Sequence, residues 1–360
     1  MLLLNYCLSF FLVILIFPFD QTEGVLVEKK DLFFRLPGNV SFNVRSVDYY
    51  TDDEGHSCFS FLSRNKKQKI YRYDYETQEL IDSIDLVRFH TRFQGHKSIN
   101  DDSVLVYDYV HSALFLINKQ GHLLKRYNIN NDYVDPKVWT PMPIVYKDGY
   151  VYLGGYLYNP KGKYKPSPIF LKLDLETGEK QYLYHYPDIY LRNNWGGDGV
   201  GYWFYYDFIE DENMFIFSFP FDEYVHLTNF EDIDTSILMK SKYLSRAEPY
   251  SYFKFIEPDL RKSCKHFVEN PTYKNILYDP YRKLFYRIGE YPQEFEGMKW
   301  RKKITIIVYN VNYKYITEKT IEDYHGNAPY TMFVGKRGLH FQYVVNESVM
   351  AFKTFVLTNK

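Results

Sequence analysis

The sequence predicts an almost all-β fold, a six-bladed β-propeller of four-stranded antiparallel blades. Aromatic residues make up 20% of the 360 residues, with 38 Tyr and 29 Phe. Their rings fit a pleated, half-buried surface, so this composition favours strands. After residue 40, apolar and polar residues alternate with the period of a strand that buries one face. A hairpin pattern recurs at irregular intervals of roughly 50 residues, which is typical of propeller blades.

The recurring hairpin defines the repeat. In its first copy, residues 70–74 alternate, a turn follows at 76–78, and the alternation resumes over 80–84. Two such runs around a short polar turn predict a pair of antiparallel strands. A polar residue closes the first strand of each hairpin and marks its place in the chain, at Asp74, Asn118, Asp174, Asn229 and Asn310.

Further strand-like runs precede each hairpin and complete units of four strands. The second unit is compressed, because residues 87–102 before its run lack alternation and are predicted to form a loop. The runs are 46–50 with 57–62, 103–107 alone, 144–146 with 150–154, 202–208 with 213–218, 275–278 with 284–288, and 330–334 with 339–343.

The last unit supplies only three strands, the third at 350–357. A propeller needs a fourth strand there, because an unpaired edge can pair with another chain. Residues 25–36 offer one, since Leu32-Phe33-Phe34-Arg35-Leu36 is a good strand sequence. We expect this N-terminal strand to close the ring; the alternative is a separate β-sandwich tail.

One helix is predicted, at residues 258–268. Leu260, Cys264, Phe267 and Val268 recur at helical spacing, and Pro258 suits a first helical turn. We place this short helix in an excursion between blades.

The N-terminal segment differs in composition from the rest. Residues 1–19 contain two clearly polar residues, and no Lys or Arg precedes Lys29. We predict that residues 1–24 are a secretory signal, with an uncleaved membrane anchor as the alternative. Residues 25–360 then form the propeller domain, secreted across the inner membrane to the periplasm or cell surface. A membrane contact is expected only through the N-terminal segment.

Charge and cysteine content exclude some functions. The formal net charge is -1, which argues against nucleic acid as a partner because phosphate binding needs an excess of Lys and Arg. An exported pair of cysteines can form a disulfide. Cys58 and Cys264 fall far apart in the repeat scheme, so we predict two free, partly buried thiols.

Loop lengths predict where a functional site lies. In a four-stranded meander, the first-to-second and third-to-fourth turns share one face, and here they are short. The other connections are long, and long loops in a compact domain are usually functional. We therefore expect a site on the long-loop face around the central channel. The long segments are 87–102, 130–143, 157–168, 187–201, 245–272 and 289–302.

The densest site-like stretch is 192–201, Arg-Asn-Asn-Trp-Gly-Gly-Asp-Gly-Val-Gly. Its glycines let a backbone approach a ligand, and Trp and Arg anchor interfaces. The alternative is an inter-blade turn whose glycines satisfy sharp backbone angles. A basic cluster at 299–303 either contacts an anionic surface or is a solvated loop. Our candidate binding residues are Trp139, Arg192, Asn194, Trp195, Asp198 and Trp300.

Histidines and acidic residues raise a metal hypothesis. No two histidines have a tight ligand spacing, so scattered surface histidines are the alternative to an axial ion. We predict no cofactor and no assigned metal ligand. If an axial metal exists, its candidate ligands are Asp198, Asn194, His96, His266 and His325.

A strand-turn-strand phrase that ends in Tyr-Arg lies at 278–288, Tyr-Asp-Pro-Tyr-Arg-Lys-Leu-Phe-Tyr-Arg-Ile, with Asn270-Pro271 before it. This phrase is similar to one in a known family, and through it the chain resembles the secreted TolB-like six-bladed propellers of unknown function from Bacteroidetes. Many members look like lipoproteins with a Cys at the signal cleavage site, which this chain lacks. The resemblance implies fold and compartment but no activity. The phrase itself reads as a structural turn at 279–281.

Three functions follow as expectations. The first is a binding or scaffolding module at the bacterial cell envelope, with a glycan or protein ligand. The second is a metal-assisted hydrolase or lyase with an axial ion, which rests on fold analogy. The third is a purely structural role, which would show as an apolar patch on the outside of a blade.

Overall fold

A computed structural model of the chain describes residues 24–38, 40–65, 68–156, 168–196, 200–251, 260–295, 303–322 and 331–359. These residues form six four-stranded antiparallel sheets arranged in a ring. The predicted six-bladed β-propeller is confirmed.

The strands follow the chain from the centre of the ring outward in five of the six blades. Blade 1 contains β2 (Ser46–Thr51), β3 (Ser57–Leu62), β4 (Lys69–Asp74) and β5 (Leu80–Asp85). Blade 2 contains β6 (Phe93–Ser98), β7 (Ser103–Asp108), β8 (Ala113–Asn118) and β9 (Leu123–Asn128). Blade 3 contains β10 (Val145–Lys147), β11 (Tyr150–Gly154), β12 (Phe170–Asp174) and β13 (Lys180–Leu183).

The remaining blades have the same plan. Blade 4 contains β14 (Tyr205–Ile209), β15 (Met214–Ser218), β16 (Tyr224–Thr228) and β17 (Asp234–Leu238). Blade 5 contains β18 (Thr272–Asp279), β19 (Leu284–Glu290), β20 (Ile304–Asn310) and β21 (Tyr315–Ile321). Blade 6 contains β22 (Met332–Gly335), β23 (Gly338–Asn346), β24 (Val349–Asn359) and, outermost, β1 (Gly24–Arg35).

The core lies between blades. Six apolar clusters, one at each blade interface, are formed by the described residues. Inner strands such as β3 are buried along their whole length, whereas the outermost strand β9 is mostly exposed. This gradient explains why most inner strands are rich in Phe, Tyr, Ile and Val and the outermost strands carry charged residues.

The N-terminal strand closes the ring, as predicted. Strand β1 pairs antiparallel with β24 along nearly its full length. Leu32 and Phe34 are fully buried, and the Phe34 ring stacks on Phe59 of blade 1 with 4.3 Å between centroids. The strand therefore joins the first and last blades through both its backbone and its side chains.

The prediction for blade 2 was wrong in one strand. The predicted loop at 87–102 contains a single 3-10 turn at Val87–Phe89 and then β6, the innermost strand. This strand has no apolar alternation because its buried positions include Gly95 and His96. Gly95 is required by packing, since a Cβ there would lie 2.2 Å from Cγ1 of Val138.

Two α-helices are described. The predicted helix is confirmed from residue 260 onward as α2 (Leu260–Glu269), in which Phe267 and Val268 are buried but Leu260 is exposed. Pro258, its predicted first turn, lies outside the described residues. The short α1 (Asp188–Arg192) was not predicted. Among the described residues, none of the helices has the length and apolar character to span a bilayer. Cys58 is buried and Cys264 is partly buried, and among the described residues neither forms a disulfide.

Candidate functional site

The predicted long connections are confirmed between blades 2 and 3, 3 and 4, and 4 and 5, whereas second-to-third turns such as 109–112, 219–223 and 347–348 are short. Turns between first and second strands, such as 148–149 and 336–337, are short. Connections between blades are long at 129–144, 184–204 and 239–271. The segment at 86–92, between blades 1 and 2, is also short, because β6 takes up most of the predicted loop.

A cleft of about 1330 Å³ opens between blades 3 and 4. Its walls are the end of β13 with the loop at 184–193 on one side, and strands β16 and β17 on the other. Arg192 and Arg246 line it from the long-loop face. Four partly buried rings also line it, those of Tyr182, Tyr184, Tyr186 and Phe230.

The rings in the cleft are held by stacking. The Tyr184 ring lies parallel to Phe217, with 4.7 Å between centroids, and the Tyr182 ring contacts Tyr133 at 4.7 Å. Burial raises the pKa of Tyr184, and the nearby Asp234 carboxylate raises it further. The Tyr184 hydroxyl therefore stays protonated and available as a donor at neutral pH.

A polar chain crosses the wall formed by blade 4. His226 on β16 lies directly opposite Ser236 on β17, and its Nδ1 is 2.9 Å from the Ser236 hydroxyl. Its Nε2 is 2.9 Å from Oδ2 of Asp222. Asp222 and His226 are almost completely buried, whereas Ser236 is exposed in the cleft.

Asp222 lies in the turn between β15 and β16, and this turn is rigidly held. Its Oδ1 accepts a hydrogen bond from the Tyr224 N–H at 2.9 Å. The guanidinium of Arg287, from blade 5, donates to the carbonyls of Asp222 and Glu223. The carboxylate is thus fixed in position independently of any ligand.

The central channel is a second cavity, of about 520 Å³, lined by the innermost strands of all six blades. The Lys97 ammonium donates to Oδ1 of Asp48 at 2.8 Å, and Ser98 N–H donates to Oδ2 at 2.9 Å. Burial opposes the charge on Lys97, but the Asp48 carboxylate outweighs it and raises the pKa of the ammonium. Burial also raises the pKa of Asp207 to about 6, although the N–H groups of Tyr278 and Phe208 oppose this shift.

Comparisons with known proteins now identify the family. The family model of a domain of unknown function, DUF4221, matches residues 19–320. The chain belongs to the DUF4221 family. No curated protein is significantly similar to it.

Solved structures agree on the fold of this DUF4221 protein. A crystal structure of a DUF4221 member from Bacteroides vulgatus is similar to it, with a TM-score of 0.80 and 22% identity. That similarity covers 94% of this chain and 100% of the other. A crystal structure of the mitotic checkpoint complex matches with a TM-score of 0.47, 9% identity and 98% coverage of both chains, which is too weak for any inference. These matches confirm the expected membership of a six-bladed propeller family of unknown function. Its TolB-like and secreted character stays a prediction.

Four of the six predicted binding residues of this DUF4221 protein are described, and they differ in exposure. Arg192 ends α1, is 76% exposed, and pairs with Asp188 at 2.6 Å in the cleft wall. Trp139 is partly buried in the loop between blades 2 and 3, where its ring contacts Trp203 edge-on at 5.3 Å. Asp198 and Trp300 lie outside the described residues.

Asn194 and Trp195 are buried. Trp195 is 2% exposed, stacks on Phe221 at 4.8 Å, and donates its Nε1–H to the carbonyl of Ile189 at 3.0 Å. Asn194 is 3% exposed, and its Oδ1 accepts from the Gly196 N–H at 2.9 Å. Both side chains pack and brace the loop in this structure, so their role as contacts stays a prediction.

The two described histidines among the candidate metal ligands lie on different elements and have other partners. His96 lies between Ser46 and Ser60, with 2.6 and 2.9 Å to their hydroxyls. His266 lies on α2, where its Nε2 is 2.7 Å from the Glu248 carbonyl oxygen. Asp198 and His325 fall outside the described ranges. Within those ranges, no three His, Cys, Asp or Glu side chains are placed to hold an ion.

Sequence reasoning missed Asp222, His226 and Ser236. The spacing Asp222-x-x-x-His226 could have indicated part of this group. A carboxylate in a turn and a histidine on the strand that follows can lie within hydrogen-bond distance. Ser236 becomes their neighbour only through the register between β16 and β17.

Proposed function

We propose that this DUF4221 protein is an exported binding or scaffolding module at the bacterial cell envelope, with its ligand in the cleft between blades 3 and 4. The ligand we propose is a glycan. The carrying observation is the cleft of about 1330 Å³, in which partly buried aromatic rings lie beside carboxylates and two arginines.

The composition of the cleft supports a carbohydrate ligand. Ligand sites are mostly apolar and aromatic, with a few polar groups that fix orientation. Ring faces such as those of Tyr182 and Phe230 offer apolar surface to a sugar ring, and Tyr hydroxyls add a polar contact. The guanidinium groups of Arg192 and Arg246 donate, and the carboxylate of Asp234 accepts, as sugar hydroxyls require.

Export is supported by the sequence. Residues 1–24 have the composition of a secretory signal, and the chain resembles secreted TolB-like propellers. The metal-assisted enzyme stays a prediction, because two of its five candidate ligands, Asp198 and His325, lie outside the described residues.

The binding proposal is tested with bacterial surface polysaccharides and peptidoglycan fragments. Wild type and the Arg192→Ala, Arg246→Ala and Arg35→Ala variants are titrated by calorimetry. Arg35 is the matched control, since it is an exposed arginine on the outer strand of blade 6. We expect at least a tenfold, or about 1.4 kcal/mol, weaker affinity in the two cleft variants and none in the control.

Equal affinity in all four proteins, or no glycan bound by the wild type, would overturn the proposed ligand site. Binding only to an envelope protein would overturn the glycan as ligand. Immunoblots of fractionated native cells test export separately, and a purely cytoplasmic signal contradicts it.

A further inference from the structure

We infer that Ser236, His226 and Asp222 form a nucleophile, base and carboxylate that hydrolyse esters in the cleft between blades 3 and 4. The Ser236 hydroxyl, the two imidazole nitrogens and the Asp222 carboxylate form one continuous chain, with 2.9 Å at each of the two links. Hydrolysis of this kind needs a nucleophile within hydrogen-bond reach of a base that a third group orients.

The hydrogen-bond partners define the protonation state that this chemistry needs. An ionised Asp222 only accepts hydrogen bonds, so His226 carries its proton on Nε2 and donates it there. Nδ1 is then the lone-pair nitrogen that faces the Ser236 hydroxyl. The imidazole itself is held by burial and by an edge contact with the Phe219 ring, with 5.4 Å between centroids.

Strand register places Ser236 well for attack. The backbone bonds from Met239 N–H to Glu223 and from Asn229 N–H to Ile233 set the alternation of pairs between β16 and β17. His226 and Ser236 therefore form a non-hydrogen-bonded pair, the kind in which facing side chains come closest. Because β17 is the outermost strand, the N–H of Ser236 points to the open edge of the sheet. It is available there as an oxyanion donor beside its own Oγ.

The reaction balances with water as the only co-reactant. The Ser236 oxygen attacks the ester carbonyl while its proton passes to Nδ1 of His226. The carbon–oxygen bond to the alcohol breaks, and the alcohol leaves with that proton. Water then attacks the acyl-serine and gives a proton to His226. The bond between the acyl carbon and the Ser236 oxygen breaks, that oxygen takes the proton back from His226, and the carboxylic acid leaves.

The cleft fits an ester on a hydroxyl-rich ligand. It is wide and open to solvent at Ser236, which suits a small acyl group carried by a larger molecule. The inference shares the cleft with the proposed glycan site but goes beyond binding. The test therefore uses a small ester and a serine probe, neither of which needs a glycan.

The experiment measures covalent labelling and turnover on the full chain. Wild type is treated with a fluorophosphonate, the labelled peptide is identified by mass spectrometry, and p-nitrophenyl acetate hydrolysis is followed. We expect one label, on Ser236, and at least a hundredfold loss of turnover in Ser236→Ala and in His226→Gln, the range expected for loss of a general base. Ser83→Ala is the matched control, because Ser83 is an exposed serine on the outer strand of blade 1 that faces Tyr71 instead of a histidine.

Several results would overturn the inference. They are an unlabelled wild type, a label on another residue, or hydrolysis by Ser236→Ala at the wild-type rate. A cross-strand Ser–His pair that only stabilises the sheet would give the last result. Glycan binding without labelling contradicts this inference alone, and labelling without glycan binding contradicts only the proposed function.

Discussion

Arg287 of blade 5 donates from Nη2 to the backbone carbonyl of Asp222 in blade 4, at 2.6 Å. Its other donors reach the Ser218 hydroxyl and the carbonyls of Glu223 and Met239 at 2.8 to 3.1 Å. The guanidinium lies over the Tyr273 ring, 3.9 Å from its centroid, and is fully buried. One side chain thus joins two blades and holds the turn that presents the Asp222 carboxylate.

Removal of Arg287 should destabilise the propeller strongly. Arg287→Met keeps much of the volume but leaves these four acceptors, three of which are buried, without their donor. We therefore expect the free energy of unfolding to fall by about 3 to 5 kcal/mol. The measurement is a denaturant unfolding curve, with the exposed Arg35→Met as control. A variant with an unchanged midpoint and slope would show that the hydrogen bonds of Arg287, the Arg287 clamp, contribute nothing to stability.

Closure of the ring by β1 predicts a large loss of stability for substitution of one phenylalanine and almost none for its neighbour. Phe34 is fully buried, and Phe33 is 44% exposed on the same strand. Phe34→Ala should cost about 3 to 5 kcal/mol of stability, because it leaves a cavity between blades 6 and 1. Phe33→Ala should stay within about 0.5 kcal/mol of wild type. Equal losses by thermal or denaturant unfolding would contradict the closure.

Buried His96 makes stability depend on pH. Burial lowers the pKa of His96 from 6.5 to about 4, so the unfolded chain binds a proton that the native state excludes. Stability is fully present above pH 6.5 and is lost as the pH falls toward 4, by about 3 kcal/mol at most.

The His96 effect is measured from denaturant midpoints taken across that pH range. In His96→Gln the amide can still bridge Ser46 and Ser60. The free energy of unfolding should then change less steeply with pH, by the equivalent of up to one proton taken up on unfolding. The exposed His122→Gln serves as control and should keep the wild-type slope. A His96→Gln slope as steep as that of wild type would be inconsistent with a neutral buried imidazole.

Trp195 and Arg192 should separate packing from binding. Trp195→Ala should lower stability by about 3 to 5 kcal/mol, since the indole is buried against Phe221. Arg192→Ala should leave the melting temperature nearly unchanged, because its side chain is 76% exposed. Scanning calorimetry of both variants measures their stability. A Trp195→Ala protein as stable as wild type would indicate that the indole is a surface contact instead of a core residue.

Local pattern determined most of the fold. Alternation along β4, β8 and β12 predicted the hairpins, and the aromatic-rich run at 32–36 predicted the closing strand. These predictions succeeded because the residue types and the period of two that mark a strand lie within the strand itself. The turn at 279–281 was likewise interpreted correctly as structural, since Asp279 accepts from the Tyr281 and Arg282 N–H groups.

Only the tertiary structure decided the rest. Strand β6 buries His96 against Ser46 and Ser60, polar partners from another blade, so its own sequence carries no apolar period. Trp195 resembles a contact residue in sequence, yet a neighbouring blade covers it. The Asp222, His226 and Ser236 chain depends on strand register, and the Arg287 clamp depends on blade-to-blade packing. The sequence by itself determined which segments are strands, apart from β6, and how many blades they form. Which side chains meet across strands and blades was decided by long-range contacts, because no local periodicity records them.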